Sequence, residues 1–221
     1  VNTRYGNTVA ILSGDFLFAR SSALLADLGP DAVRVQAETF ERLVVGQLRE
    51  TAGPQEGEDP VVHHLEVLAD KTGSLISAAA RYGCMMAGVS PEVTERLAEF
   101  GEAVGMSFQI SDDLLDIEST VSGKSPGTDL REGIKTLPVL LALADKSTSP
   151  RLRELLNKQL TDDAEHAEAL AALRAHPAMD QAREVLNQWT QKAQGLVAGL
   201  PDCDAKQALQ VLCDSVANRA V

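Results

Sequence analysis

Glycine and proline punctuate the whole sequence and divide it into stretches whose apolar residues recur every three or four positions. Strand-like alternation never persists for more than a few residues, so the pattern predicts helices joined by short connections. The abundance of Ala and Leu, with only 4% aromatic residues, also favours helix. We therefore expect an all-α fold, with helices over 8–28, 31–51, 60–82, 91–119, 137–144, 150–160, 163–175, 177–200 and 203–220.

The size and charge of the chain limit the classes of ligand that it can bind. Its 221 residues fit a single domain over 1–221. The formal net charge of -12 creates a field that repels polyanions, so nucleic-acid binding is not expected. A ligand that carries phosphate must instead be attracted by local cations or by a bound metal ion.

The cysteine content and the pattern of apolar residues bear on the cellular compartment of the protein. Cys84, Cys203 and Cys213 form neither a paired framework nor a zinc-binding spacing, so we expect reduced, packed thiols. The longest uninterrupted apolar run, 139–144, is far shorter than a membrane span, and the N-terminus shows no basic-then-apolar targeting pattern. These features predict a cytoplasmic protein with no transmembrane segment.

Four polar residues form a stripe on one predicted helix. Gln109, Asp112, Asp113 and Asp116 fall within about 100° of arc. No Lys or Arg within a turn neutralises the three carboxylates, which are the ligands that magnesium prefers and often shares with substrate phosphates. One interpretation is therefore a metal site. The other is an ordinary solvated face, because rows of acids are common on helix surfaces.

Lys71 departs from the polar pattern of the helix predicted over 60–82. At about 100° per residue it falls among apolar residues such as Leu68 and Leu75, and Thr72 is directed toward Leu68 as well. A cation in such a place must be paired, bind a ligand, or extend along the apolar surface to reach water. The sequence leaves these alternatives open.

A glycine-containing basic segment, 123–138, follows the acidic helix. It carries Lys124, Arg131 and Lys135. Glycine permits close backbone approach to a phosphate, and the basic side chains supply positive charge. In isolation, solvated charge is the simpler interpretation of such a loop, but its position directly after the aspartates favours phosphate binding.

Several of these segments occur together in one known family. The sequence resembles the trans-isoprenyl (polyprenyl) diphosphate synthases, especially the bacterial medium- and long-chain type. The resemblance covers nearly the whole chain and lies in 6–22 (GNTVAILSGDFLFARSS), 70–75 (DKTGSL), 108–116 (FQISDDLLD), 123–138 (GKSPGTDLREGIKTLP) and 182–219.

The resemblance implies a fold, an activity and a set of site residues. The fold would be a single-domain antiparallel helical bundle with a central cavity, and the protein a homodimer. It would extend an allylic diphosphate with isopentenyl diphosphate, in isoprenoid and quinone side-chain biosynthesis, giving a product that could be handed to a membrane. The implied roles are Mg²⁺ binding by Asp112, Asp113 and Asp116, catalysis and diphosphate binding by Lys71 and Lys124, and substrate binding by Thr72 and Gln109.

Two departures from the family pattern affect this prediction. The family has a lysine where this chain has Ile134, so the following Lys135 is kept as a substrate-binding candidate. The family's first aspartate-rich motif would precede residue 6, so we expect a C-terminal portion of the domain without its N-terminal helices. A non-catalytic partner or regulatory subunit of a prenyl synthase, and a class I terpene cyclase, remain as alternatives.

Overall fold

The computed structural model describes residues 1–118 and 126–220, and every regular element in these ranges is helical. The predicted all-α class is therefore confirmed. The elements are α1 (Asn2–Tyr5), α2 (Asn7–Ala26), α3 (Pro30–Ala52), α4 (Pro60–Leu68), a π-helical turn (Ala69–Gly73), α5 (Ser74–Ala87), α6 (Pro91–Glu118), α7 (Thr128–Glu132), α8 (Leu137–Ala144), α9 (Pro150–Leu156), α10 (Asp163–Arg174), α11 (Ala178–Ala198), α12 (Asp204–Ala217) and a 3₁₀ turn (Asn218–Ala220).

Short polar side chains fix the starts of several helices. The carboxylate of Asp59 accepts the backbone N–H groups of Val61 and Val62, and Pro60 occupies the first turn of α4. Ser149 and Asp162 cap α9 and α10 in the same way. These caps satisfy N–H groups that have no partner within the helix, which explains why the predicted starts at 60, 150 and 163 coincide with the observed ones.

Apart from the short α1, which was not predicted, and shifts at helix ends, two segments differ from the helices expected from the sequence. The helix predicted over 60–82 is interrupted by the π-helical turn, in which each hydrogen bond spans one more residue than in an α-helix. The segment expected as a loop contains α7, which begins after Gly127 in the left-handed conformation and ends before Gly133, which is left-handed too. Lys124 lies outside the described residues.

The chain divides into two compact units, Val1–Arg42 and Leu43–Val221. In the first unit the rings of Phe18 and Phe40 stack with their centroids 4.3 Å apart. The side-chain amide of Gln36 donates to the hydroxyl of Ser21. The helix α2 nevertheless contains no buried residue, and large apolar side chains along it lie exposed.

The same helix meets the length and composition of a membrane span. The segment Asn7–Ala26 has a mean hydropathy of 1.4 over its most apolar 18-residue window. The expectation that no segment reaches this length and composition is therefore wrong, because it considered only uninterrupted apolar runs and α2 is interrupted by Asp15 and Arg20. Core helices and signal sequences meet the same criterion, so it does not assign α2 to a membrane.

The second unit is organised around α6. The first half of α6 packs with α11 and α12 in one apolar cluster that includes Phe100, Val104 and Val197. Its second half packs with α8, α9, α10 and α11 in a larger cluster that includes Ile110 and Leu114, both fully buried. Cys84 and Cys213 are buried free thiols as expected, whereas Cys203 is free but exposed.

Helices α5 and α6 meet at glycines that bring their backbones close together. A Cβ atom on Gly101 would lie 2.6 Å from the carbonyl oxygen of Ile76, and one on Gly105 would lie 2.9 Å from the Cα of Gly73. This contact buries the polar side chains of Ser74 and Ser77. Small side chains are buried here because only they permit the approach.

We expect Gly101→Ala to destabilise the protein by about 1–3 kcal/mol, since the added methyl group must displace the backbone at Ile76. Gly83→Ala in α5 is the matched control, because its Cβ would meet nothing within 4 Å and alanine is the better helix former. Urea denaturation of both variants measures the difference. Equal or higher stability of Gly101→Ala would contradict the close contact.

Candidate active site

The π-helical turn carries Lys71 and Thr72, two of the predicted substrate-binding residues. The hydroxyl of Thr72 donates to the side-chain oxygen of Gln109 on α6, at 3.2 Å. The structure thus brings together two residues that the sequence places 37 positions apart. π-Helical turns inside α-helices occur often at functional sites, because the extra residue reorients nearby side chains.

Lys71 is paired and half-buried. Its ammonium group donates to the carboxylate of Glu50 at the end of α3, and about 30% of its side chain is exposed. The amide of Gln47 donates to the same carboxylate oxygen of Glu50 at 2.9 Å. Of the three alternatives left open by the sequence, pairing therefore describes Lys71 in this structure.

Asp113 is a buried carboxylate that joins three elements. Its Oδ2 atom accepts the backbone N–H of Leu137 at 3.0 Å and the Nε2–H of His64 at 3.0 Å. Leu137 opens α8 and His64 lies in α4, so this one oxygen links both helices to α6. Because this carboxylate is only 5% exposed and already bonded, its structural role is the one that the geometry supports. Metal binding by Asp113 stays a prediction.

Asp116 holds the start of α7. Its two carboxylate oxygens accept the backbone N–H groups of Thr128 at 3.0 Å and Asp129 at 3.2 Å. Burial raises the pKa of Asp116, and the nearby charge of Asp113 raises it further, although the two N–H donors act in the opposite direction. A carboxylate in this situation gains from a nearby cation, which would favour its ionised form.

Asp112 is more exposed than Asp113. It forms an ion pair with Arg219 from the end of the chain, at 3.1 Å, and both side chains are 41% exposed. The guanidinium of Arg219 also lies 4.5 Å from the centre of the Phe108 ring. The neutralising cation that the sequence lacks within a turn of α6 is therefore supplied from a distant part of the chain.

The three aspartates do not form a ready-made metal cage. Within residues 1–118 and 126–220, no group of three or more His, Cys, Asp or Glu side chains is arranged to hold a metal ion. Asp112 and Asp116 lie one helical turn apart and supply oxygen donors of the kind that magnesium takes, usually together with water and substrate phosphates. The residues present thus fit a shared metal and phosphate site better than a site built from protein ligands alone.

Lys135 lies apart from these groups. Its ammonium group donates to the side-chain oxygen of Asn157 at 2.9 Å. It also lines a cavity of about 740 Å³ between the end of α3, the helix α4 and the second half of α8. The lining includes Glu50 and His64 but none of the three aspartates, so the cavity borders the candidate site without containing its aspartates.

Sequence reasoning missed three side chains of the site. Glu50, His64 and Arg219 pair with Lys71, Asp113 and Asp112, respectively. Each partner is at least 21 positions away in the sequence, so no helical spacing reveals the pair.

Enzymes that act on diphosphates through a metal ion need acidic side chains for the cation and basic side chains for the phosphates, and the second half of α6 and its neighbours supply both. The sequence model of one such family, described as Polyprenyl synthetase, matches residues 1–173, and the chain belongs to this family.

Individual relatives agree with this assignment. The chain is 50% identical to a nonaprenyl diphosphate synthase of Mycobacterium tuberculosis, over 99% of this chain and 66% of that protein. It is 34% identical to heptaprenyl diphosphate synthase component 2 of Geobacillus stearothermophilus, over 99% of this chain and 69% of that protein.

A solved structure is similar as well. It is that of a geranylgeranyl pyrophosphate synthase from Corynebacterium glutamicum, complexed with calcium and isoprenyl diphosphate. The sequence identity is 43% and the TM-score 0.90, over 99% of this chain and 69% of that one. The chain thus spans about two thirds of the length of the proteins that it matches.

The structural role of Asp113 can be tested by comparison with its neighbour Asp112. Asp113→Ala removes the acceptor of a buried N–H group and of His64, so we expect a loss of about 2–3 kcal/mol. Asp112→Ala removes one half-exposed ion pair and should cost no more than about 1 kcal/mol. Chemical denaturation separates the two variants, and similar losses would contradict the structural role of Asp113.

Proposed function

We propose that this chain takes part in a magnesium-dependent prenyltransferase that condenses an allylic diphosphate with isopentenyl diphosphate to give a longer trans-polyprenyl diphosphate. The observation that carries the proposal is the meeting of the π-helical turn with α6, where Thr72 bonds Gln109 and Lys71 lies one residue away. Family membership and the matched relatives support the choice of substrates.

In the proposed reaction the allylic C–O bond breaks and its electron pair leaves with the diphosphate. The isopentenyl double bond attacks the resulting cation, and a proton is then lost to the released diphosphate. Magnesium, when bound at Asp112 and Asp116, would supply positive charge to the diphosphate. Lys71 adds a fixed charge where negative charge grows, which is the arrangement that lowers such a barrier most effectively. The pair of Thr72 and Gln109 would orient the allylic group.

Glu50 has a defined part in this scheme. It holds the ammonium group of Lys71 before the diphosphate arrives. The half-exposed pair is weak enough to open, and a diphosphate offers Lys71 a more highly charged acceptor. Glu50 therefore keeps the side chain of Lys71 oriented, and Lys71 can still exchange Glu50 for the diphosphate as its partner.

Binding of farnesyl diphosphate with Mg²⁺ tests the proposal. Lys71→Ala should weaken the binding about 10- to 100-fold, since a hydrogen bond to a charged group is worth about 1.5–3 kcal/mol. Lys192→Ala is the matched control, because Lys192 lies on α11 and belongs to none of the motifs of the candidate site. Its ammonium group lies 4.7 Å from the ring centre of Trp189. Isothermal titration calorimetry measures both, and incorporation of isopentenyl diphosphate measures turnover.

Two results would count against the proposal. Equal binding by Lys71→Ala and the control would exclude the proposed diphosphate site. Failure of the unaltered chain to bind farnesyl diphosphate in Mg²⁺ would favour the partner-subunit interpretation, which has some support because the Geobacillus relative is named as one component of a heptaprenyl diphosphate synthase.

We also propose that the chain forms a cytoplasmic homodimer through α2. This helix buries no residue, and Leu12, Phe16 and Leu17 are each at least 60% exposed. A continuous exposed apolar surface on a folded protein is a common feature of subunit interfaces. Free cysteines are consistent with a reducing compartment.

Phe16→Glu should convert the dimer to a monomer, because the added charge would be buried in the proposed interface. Leu212→Glu on α12, an exposed apolar position in the other unit, is the control and should leave the dimer intact. Sedimentation equilibrium measures the mass. A monomeric unaltered chain, or one that sediments only with lipid vesicles, would contradict the homodimer.

A further inference from the structure

The start of α7 is held by a chain of polar contacts that reaches α10. Gly127, just before α7, donates its N–H to the carbonyl oxygen of Asp116 at 2.6 Å. Its own carbonyl oxygen accepts the N–H of Arg131 at 2.9 Å and the Nε2–H of His166 at 2.8 Å. A buried histidine on another helix thus bonds the residue at which the chain enters α7.

The contacts of His166 determine which ring nitrogen carries its proton. A carbonyl oxygen only accepts, so Nε2 must be the donor to Gly127. The other nitrogen, Nδ1, then accepts from the guanidinium of Arg131 at 3.3 Å. The guanidinium is itself paired with Asp163 at 2.8 Å. With only 7% of its surface exposed, His166 is held in one orientation on both sides.

Position 127 requires a glycine for its contact with His166. Its φ of +71° lies in the left-handed region that glycine adopts without strain. A Cβ atom there would lie 2.8 Å from Nε2 of His166. The imidazole of His166 therefore occupies the space that a side chain at position 127 would need, and it packs directly against the backbone of Gly127.

We infer that His166 is a positioning residue for the carboxylate of Asp116. The hydrogen bond to Gly127 fixes the turn that directs the N–H groups of Thr128 and Asp129 at the two oxygens of Asp116. Without it, Gly127 keeps only its backbone hydrogen bonds to Asp116 and Arg131, so the turn and the carboxylate that it orients are held less firmly. The inference rests on the proposed function in one respect, namely that Asp116 helps to hold a divalent cation.

Two measurements on the same variants test the inference. The first is hydrogen exchange at the amides of Thr128 and Asp129, which depends on the turn alone. The second is Mn²⁺ affinity, followed by electron paramagnetic resonance. His166→Phe keeps a ring but removes both polar contacts. We expect its two amides to exchange at least about 10-fold faster, and its Mn²⁺ affinity to fall about 10- to 100-fold, as is typical when the support of a metal ligand is lost.

Two further variants separate positioning from general stability. His166→Gln retains a side-chain N–H for Gly127 and should restore slow exchange and most of the affinity. His176→Phe is the matched control, since His176 is another largely buried histidine. It contacts Thr148 at 2.9 Å and Ala178 at 3.1 Å, and no contact joins it to the described aspartates of α6. It should lower stability without changing either measurement at Asp116.

Each unexpected outcome has a distinct meaning. Unchanged exchange at Thr128 and Asp129 in His166→Phe would overturn the inference at its first step. Faster exchange with unchanged Mn²⁺ affinity would show that the turn does not orient a metal ligand, and would overturn it at the second. If the unaltered chain binds no Mn²⁺, the metal role of Asp116 in the proposed function fails and the positioning role fails with it, while the exchange result still reports on the contact itself.

Discussion

The backbone contact between α5 and α6 determines the geometry of the candidate site. Because Gly101 and Gly105 have no side chains, α6 lies directly against the backbone of Ile76 and Gly73. A contact of this kind admits little sliding or rotation, so it fixes which residues of the two helices face each other. One turn beyond Gly105, Gln109 therefore meets Thr72, and the aspartates follow along the same helix.

The three aspartates illustrate how one chemical group acquires different roles within two turns of helix. Asp113 faces inward and joins α4 and α8 to α6. Asp116 faces the turn before α7, and Asp112 faces the end of the chain. The acidic motif is thus also a structural junction. A substitution in it changes both the assembly of the helices and the charge of the site, and the two effects must be measured separately.

The sequence predicts most of the helices, because their limits depend on local signals such as Asp59, Pro60 and Ser149. It also predicts the residues that meet at α6, since their motifs occur in the family's order. It does not predict the π-helical turn or the burial of Ser74, which depend on the neighbouring helix. Nor does it predict the partners of the charged groups, because these come from distant segments that only the folded chain brings together.

The π-helical turn has a consequence for how such chains can diverge. A π-helical turn absorbs one additional residue locally, because its hydrogen bonds span five residues and not four, and the α-helix continues on either side. Loss of a single residue from Ala69–Gly73 would therefore leave a regular α-helix in which α5 can still pack against Gly101 and Gly105. The side chains within the turn, Lys71 and Thr72, would be redirected relative to Gln109. A gap in an alignment at this point thus changes the candidate site more than it changes the fold.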